Sequence, residues 1–201
     1  MKGFVKIINR IGNIIILNFL FILTSVLTLG LGIGTSLSAL YATFLDLKTD
    51  NSGYYVRNYF KHFKSNLKQT LIVDIVLLLL IGAIYLNVLM INTIEDSSLK
   101  LILYAFVALI GLEISIVTSF MFAVIAKFKG NLIELLYLSF SFSHKYLFIS
   151  ILFIIMTLLG VLMTIYLSFA FVTIIFGLIA HIESFILKYI WKDYQYDVLK
   201  F

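Results

Sequence analysis

From Ile11 to Leu45 the chain carries no charged residue, and from Tyr146 to Ile182 it again carries none. Drawn as single helices at 1.5 Å per residue, each run would reach roughly 50 Å or more, against a hydrocarbon core of about 30 Å. Each is too long for one membrane crossing and just long enough for two. Gly30, Gly32 and Gly34 stand in the middle of the first run, where a tight reversal needs residues that tolerate unusual backbone angles. This divides it into spans at 12–29 and 33–47. The second run divides near Thr164 to Ser168 into 146–163 and 168–187, although no glycine or proline marks the turn. Between them lie Gln69 to Asn92, interrupted only by Asp74, and Leu101 to Ala126, interrupted only by Glu113, giving spans at 70–91 and 101–126.

Of 201 residues, 62% are hydrophobic and 12% charged, half the charged share of about 25% found in a soluble domain. The expected fold is therefore all-α: a single transmembrane domain over 1–201, an integral membrane helical bundle of six transmembrane helices. The alternative is five helices plus a re-entrant segment at 33–47 packed within protein. The absence of cysteine excludes disulfides, thiolate metal sites and cysteine nucleophiles. The absence of proline predicts helices that stay straight unless glycine bends them. The first apolar run lacks a small-x-small cleavage pattern, so it is expected to stay as a span.

Lys and Arg accumulate in cytoplasmic segments next to the membrane. With six spans and both termini cytoplasmic, the inner segments hold Lys2, Lys6 and Arg10; Lys48, Arg57, Lys61, Lys64 and Lys68; Lys127, Lys129 and Lys145; and Lys188, Lys192 and Lys200. Lys100 alone falls outside, beside Glu95 and Asp96. Five crossings with 33–47 left out would put a basic cluster on the wrong side. The formal net charge of +5 is thus accounted for by topology and gives no case for nucleic acid. The expected location is the cell membrane.

Over 54–68, Val56, Tyr59, Phe60, Phe63 and Leu67 recur at helical spacing, while Arg57, Lys61, Lys64 and Lys68 repeat on an adjoining face. This is the pattern of an amphipathic helix lying in the headgroup layer, as a plain anchor or as a contact face for lipid or a partner. A weaker counterpart runs from Asn131 to Ser143, with Leu132, Leu135, Leu136 and Phe140 at helical spacing ahead of the fifth span.

The same region carries Gly53-Tyr54, Tyr59-Phe60 and Phe63-Lys64-Ser65-Asn66-Leu67-Lys68-Gln69, preceded by Gly34-Thr35-Ser36-Leu37-Ser38-Ala39-Leu40-Tyr41. In these stretches the chain resembles the YesL family, also known as domain of unknown function 624. Members often have a proline or a small residue where Thr35 stands here. The resemblance implies a small bacterial multi-pass membrane protein, often encoded near carbohydrate uptake and degradation genes. It implies no activity and no site residues.

Glu113 lies near the centre of the fourth span, where a carboxylate is costly unless protonated, paired or wetted. It points to a proton or cation in a transport route, or to a hydrogen-bonded clasp between helices, and no span supplies it a matching basic residue. Asp74, near the inner edge of the third span, is expected to reach water or a lysine of the 54–68 helix. Asn18 and Asn87 are expected to hydrogen-bond between helices. Gly34, Ser38 and Ala42 form a stripe of small side chains suited to close packing, within the bundle or against a second copy. His181 and Glu183 form a His-x-Glu without the cysteines of a deaminase or the second histidine of a zinc helix. No phosphate loop or nucleophile elbow occurs. The expectation is a protein that is not an enzyme and holds no cofactor or metal. It is either an accessory component of carbohydrate uptake, partnered by a sugar-transporter subunit or a second copy, or a small transporter or channel using Glu113.

Overall fold

The computed structural model describes residues 2–46, 55–166, 172 and 174–192, with the side chains of residues 2–7 and 9 left out. Its described residues form seven α-helices and no strand: α1 (Lys2–Leu27), α2 (Ile33–Asp46), α3 (Tyr55–Asn92), α4 (Ser97–Lys127), α5 (Leu132–Lys145), α6 (Leu147–Tyr166) and α7 (Ile175–Ile190). Gly53, Tyr54, Lys48, Lys200 and the last two residues of the expected break at Thr164 to Ser168 lie outside the described residues.

Among the described residues, four stretches are long and apolar enough to cross a membrane: Arg10–Leu27, Tyr55–Asn92, Ser97–Lys127 and Leu147–Tyr166. The chain is a membrane protein. The second expected span takes a different form, and the sixth, at 168–187, is described only in part. α2 has 14 residues and reaches roughly 21 Å, short of the bilayer core. Every residue from Gly34 to Leu45 except Leu37 is buried, so it is an internal helix wrapped by α1, α3, α4 and α7. α7, with 16 residues, begins only at Ile175 and closes the bundle against α1 and α2.

The amphipathic segment at 54–68 is not a separate helix. α3 runs unbroken through Lys68 for 38 residues, roughly 57 Å. Nothing in the sequence there breaks a helix: no glycine or proline lies between Tyr55 and Ile81. Tyr59 faces inward and is fully buried, whereas Val56, Phe60 and Leu67 are exposed. The counterpart at 131–143 does form its own helix, α5, opened by a capping box between Asn131 and Glu134. It ends at Tyr146, whose backbone leaves the helical region at φ −116° and ψ 45°. α6 restarts one residue later, a sharp break made without glycine or proline.

The reversal between α1 and α2 falls where the glycines stand. Gly30 takes φ +83°, and Leu29 beside it takes φ +52°, a conformation unfavourable for a residue with a Cβ. The Gly30 N–H closes the end of α1 by donating to the Ser25 carbonyl at 2.9 Å.

α2 and the first half of α3 lie antiparallel and are joined by buried polar contacts. Thr35 and Thr70 hydroxyls meet at 2.7 Å, and Asn66 Nδ2 donates to Ser38 Oγ at 2.9 Å. Thr24 of α1 joins them, 2.8 Å from Ser36 Oγ and 2.7 Å from the Tyr59 hydroxyl. At the other end of α2, His62 Nε2 stands 2.8 Å from Asp46. A stack of aromatic rings, Phe120, Phe128, Phe142, Phe153 and Trp191, fastens α4, α5, α6 and the end of α7, with centroids 5.3–6.4 Å apart.

Candidate functional site

The small residues of α2 let two neighbours come close enough to shape a cavity. A Cβ on Gly34 would collide with the Phe122 ring and with the Asp74 carboxylate, so glycine is required for α4 and α3 to approach here. Asp74 uses that access. Its two carboxylate oxygens accept from the Gly34 N–H at 3.2 and 3.1 Å, placing an anion on the positive N-terminal end of α2. Asp74 is therefore the cap of a neighbouring helix rather than the partner of a lysine.

Beside this contact a cavity of about 490 Å³ opens among α2, α3, α4, α6 and α7. Leu37, Ile81, Phe122, Phe153 and Leu158 make it mostly apolar. The hydroxyls of Ser115, Thr118 and Ser119 reach it but are bonded back to carbonyls of their own helix, at 2.8, 2.6 and 2.6 Å. One polar pair stands out on its wall: the Tyr41 hydroxyl donates to Glu183 Oε2, and both residues are buried. α2 and α7 run parallel here, since Lys188 Nζ, about one turn beyond Glu183, donates to the Phe44 carbonyl at 2.8 Å. Below the pair the core closes with Phe44, Leu187 and Trp191. Sequence reasoning picks out neither Tyr41 nor Glu183 as an intramembrane site. The available signal is a carboxylate one residue past the end of an uncharged run.

The expected site residues are dispersed. Glu113 does not line the cavity; it faces α5, where His144 Nε2 lies 3.1 Å from its carboxylate, both side chains being partly exposed. The basic partner missing from the spans thus comes from the helix between them. Asn18 joins α1 to the start of α7, donating to the Val172 carbonyl at 2.7 Å and accepting from the Gly177 N–H at 2.6 Å. Asn87 makes no such bridge and donates to the Ala83 carbonyl of its own helix at 2.9 Å. Gly34, Ser38 and Ala42 are buried inside the bundle. Arg57, Lys61, Lys64 and Lys68 all lie exposed along the first part of α3. Among the described residues no group of three His, Asp or Glu side chains could hold a metal ion.

Residues 14–88, from the middle of α1 through α2 and nearly to the end of α3, match the family model described as protein of unknown function, DUF624. Over that segment the chain is similar to DUF624. The matched segment holds the glycine turn, Gly34 with its cap Asp74, and the buried hydroxyl contacts of α2; the remaining cavity wall comes from α4, α6 and α7 beyond it. Comparison with curated proteins and with solved structures returned no match.

Proposed function

We propose that the protein is a non-enzymatic accessory or regulatory component of the cell membrane, associated with carbohydrate uptake through a partner rather than through a sugar site of its own. The observation that carries this reading is the chemistry of its cavity. A sugar needs a hydrogen bond for nearly every hydroxyl, and a buried polar group left unpaired costs roughly 1–3 kcal/mol. The cavity offers chiefly hydrocarbon, the Ser115, Thr118 and Ser119 hydroxyls already engaged with their own helix, one threonine hydroxyl at Thr157, and one carboxyl–phenol pair. Such a lining suits the apolar body of an amphiphile or of a partner's side chains. The exposed cations Arg57, Lys61, Lys64 and Lys68 provide a contact face on the same chain. The link to carbohydrate uptake rests on the resemblance to the YesL family. Both termini are taken as cytoplasmic, on the distribution of basic residues.

The test is affinity purification in mild detergent from cells grown on several carbohydrates, with co-purifying proteins identified by mass spectrometry. A sugar-permease subunit is expected, and it should disappear when Arg57, Lys61 and Lys64 are changed to Gln. Recovery of the protein alone on every carbon source would defeat the reading.

A second reading, a small solute or ion transporter, is favoured by the Glu113–His144 contact, in which two titratable side chains from neighbouring helices touch. It requires Glu113→Gln to abolish flux in proteoliposomes while the protein still inserts and folds; flux that survives the change removes Glu113 from the route.

A further inference from the structure

At the opposite end of α7 from its first turn, three helices finish together: α2 at Asp46, α4 at Lys127 and α7 at Ile190. Between them is a second, smaller pocket of about 110 Å³, lined by Leu45, Lys127, Lys188, Trp191 and Lys192. It shares no residue with the larger cavity. Three of its five lining residues carry ammonium groups.

Lysines near helix C-termini ordinarily offset the negative end of the helix dipole, and that accounts for Lys188, which donates to the last-turn Phe44 carbonyl of α2. Lys127 and Lys192 lack a comparable carbonyl or carboxylate partner among the described residues. Among the described residues, the carboxylate that bears on Lys188, Asp46, is engaged by His62 at 2.8 Å. A further donor is present: Trp191 is 2% exposed, yet its indole Nε1–H has no hydrogen-bond partner. A buried N–H without an acceptor is uncommon and costly. Burial pushes the Lys188 ammonium down; Asp46 counters this, and Lys127 and Arg10 add repulsion. Among the described residues the site is thus rich in donors and short of negative charge.

We propose that this pocket binds a phosphate group, held by Lys127, Lys188 and Lys192 together with the Trp191 indole N–H. A phosphate supplies compact negative charge and several acceptor oxygens, which lysine meets as a point charge. At the edge of a membrane protein that group comes either from the headgroup of an anionic lipid, as basic pockets between membrane helices take it, or from a soluble phosphate. The site is distinct from the basic face of α3, whose cations lie exposed along a single helix.

The chain has a single tryptophan, so the site carries its own reporter. Full-length protein in phosphatidylcholine nanodiscs is titrated with phosphatidic acid, and in parallel with inorganic phosphate, while Trp191 emission is followed. A saturable change is expected. Lys127→Gln with Lys192→Gln should weaken it on the order of ten- to thirtyfold, taking the usual effect of each surface-proximal lysine on anionic lipid. Lys61→Gln with Lys64→Gln should leave the midpoint unchanged. A response to phosphatidic acid alone identifies a lipid headgroup; a response to inorganic phosphate that competes with the lipid identifies a soluble phosphate. Trp191→Phe, which keeps an aromatic ring and removes the N–H, is read by bound lipid phosphate per protein and should lower it. The proposal is overturned if neither probe gives a saturable response, or if both lysine pairs shift the midpoint equally, which is what non-specific attraction to the surface would do.

Discussion

Up to Asp74, α3 meets α1 and α2 through hydroxyls, an amide and a carboxylate, most of them buried. From Ile75 to Met90 the same helix has no buried residue, and its partner α4 has none from Leu101 to Ser115. The outer hairpin is held near its tip, where the Tyr104 hydroxyl donates to Asn92 Oδ1 at 2.6 Å and Lys100 Nζ to the Asn92 carbonyl at 3.2 Å. There Asp96 also caps α4, accepting from the Ser98 and Leu99 amides. In lipid, apolar side chains gain little by leaving one hydrocarbon environment for another. The inner half therefore takes its register from polar pairs and close backbone approach. The outer half is a helical hairpin fixed at one end and otherwise free to face acyl chains.

Substitution of one glycine in each half gives the largest contrast. Gly34→Leu forces a side chain into Phe122 and Asp74 and is expected to cost about 3 kcal/mol, at the upper end for overpacking. Gly82, in the outer half, would place a Cβ in open space, with nothing within 4 Å. Gly82→Leu should leave stability unchanged or raise it by up to about 1 kcal/mol through helix propensity. Thermal unfolding of the detergent-solubilised variants compares the two, and equal losses would erase the distinction between the halves.

Removing the interhelical cap is a smaller perturbation. Asp74→Ala is expected to cost about 1–2 kcal/mol, as for loss of a helix N-cap, and Asp74→Asn, which keeps an acceptor, clearly less. Hydrogen exchange at the Gly34 amide should rise with Asp74→Ala; unchanged exchange there would remove Asp74 from this role. The mildest effect is expected at the hairpin tip, where Tyr104→Phe removes one hydrogen bond worth about 0.6 kcal/mol in a membrane protein. A loss as large as that of Asp74→Ala would mean that the outer hairpin, too, is held by specific polar contacts.

The parts of this fold legible in the sequence are those that depend on length and charge. The reversal at Gly30, the long apolar helices α3 and α4, and the separate helix before α6 follow from uncharged runs, glycine placement and helical spacing. Contacts made by the backbone leave no such trace. Asp74 is conspicuous at its depth, but its partner is a peptide N–H, which every residue but proline possesses. Glu113 looks unmatched along the chain because His144 reaches it only when α5 folds back along α4. Tyr41 and Glu183 are separated by 142 residues, and no local pattern announces a meeting over that distance. A boundary at Lys68 follows a change in surface character, from amphipathic to apolar, which an α-helix crosses without interruption.

The placement of α2 also bears on how the chain is assembled as it is synthesised. A helix of 14 residues that carries hydroxyls along much of its length is a poor candidate for independent entry into lipid. The carboxylate that completes its first turn lies 40 residues further along. α2 must therefore wait, shielded beside α1, until the first half of α3 has emerged. A nascent chain that has emerged only as far as Val73 would hold a second helix whose cap is still missing, whereas one that has emerged beyond Asn92 would hold all three helices and the Asp74 contact that closes them.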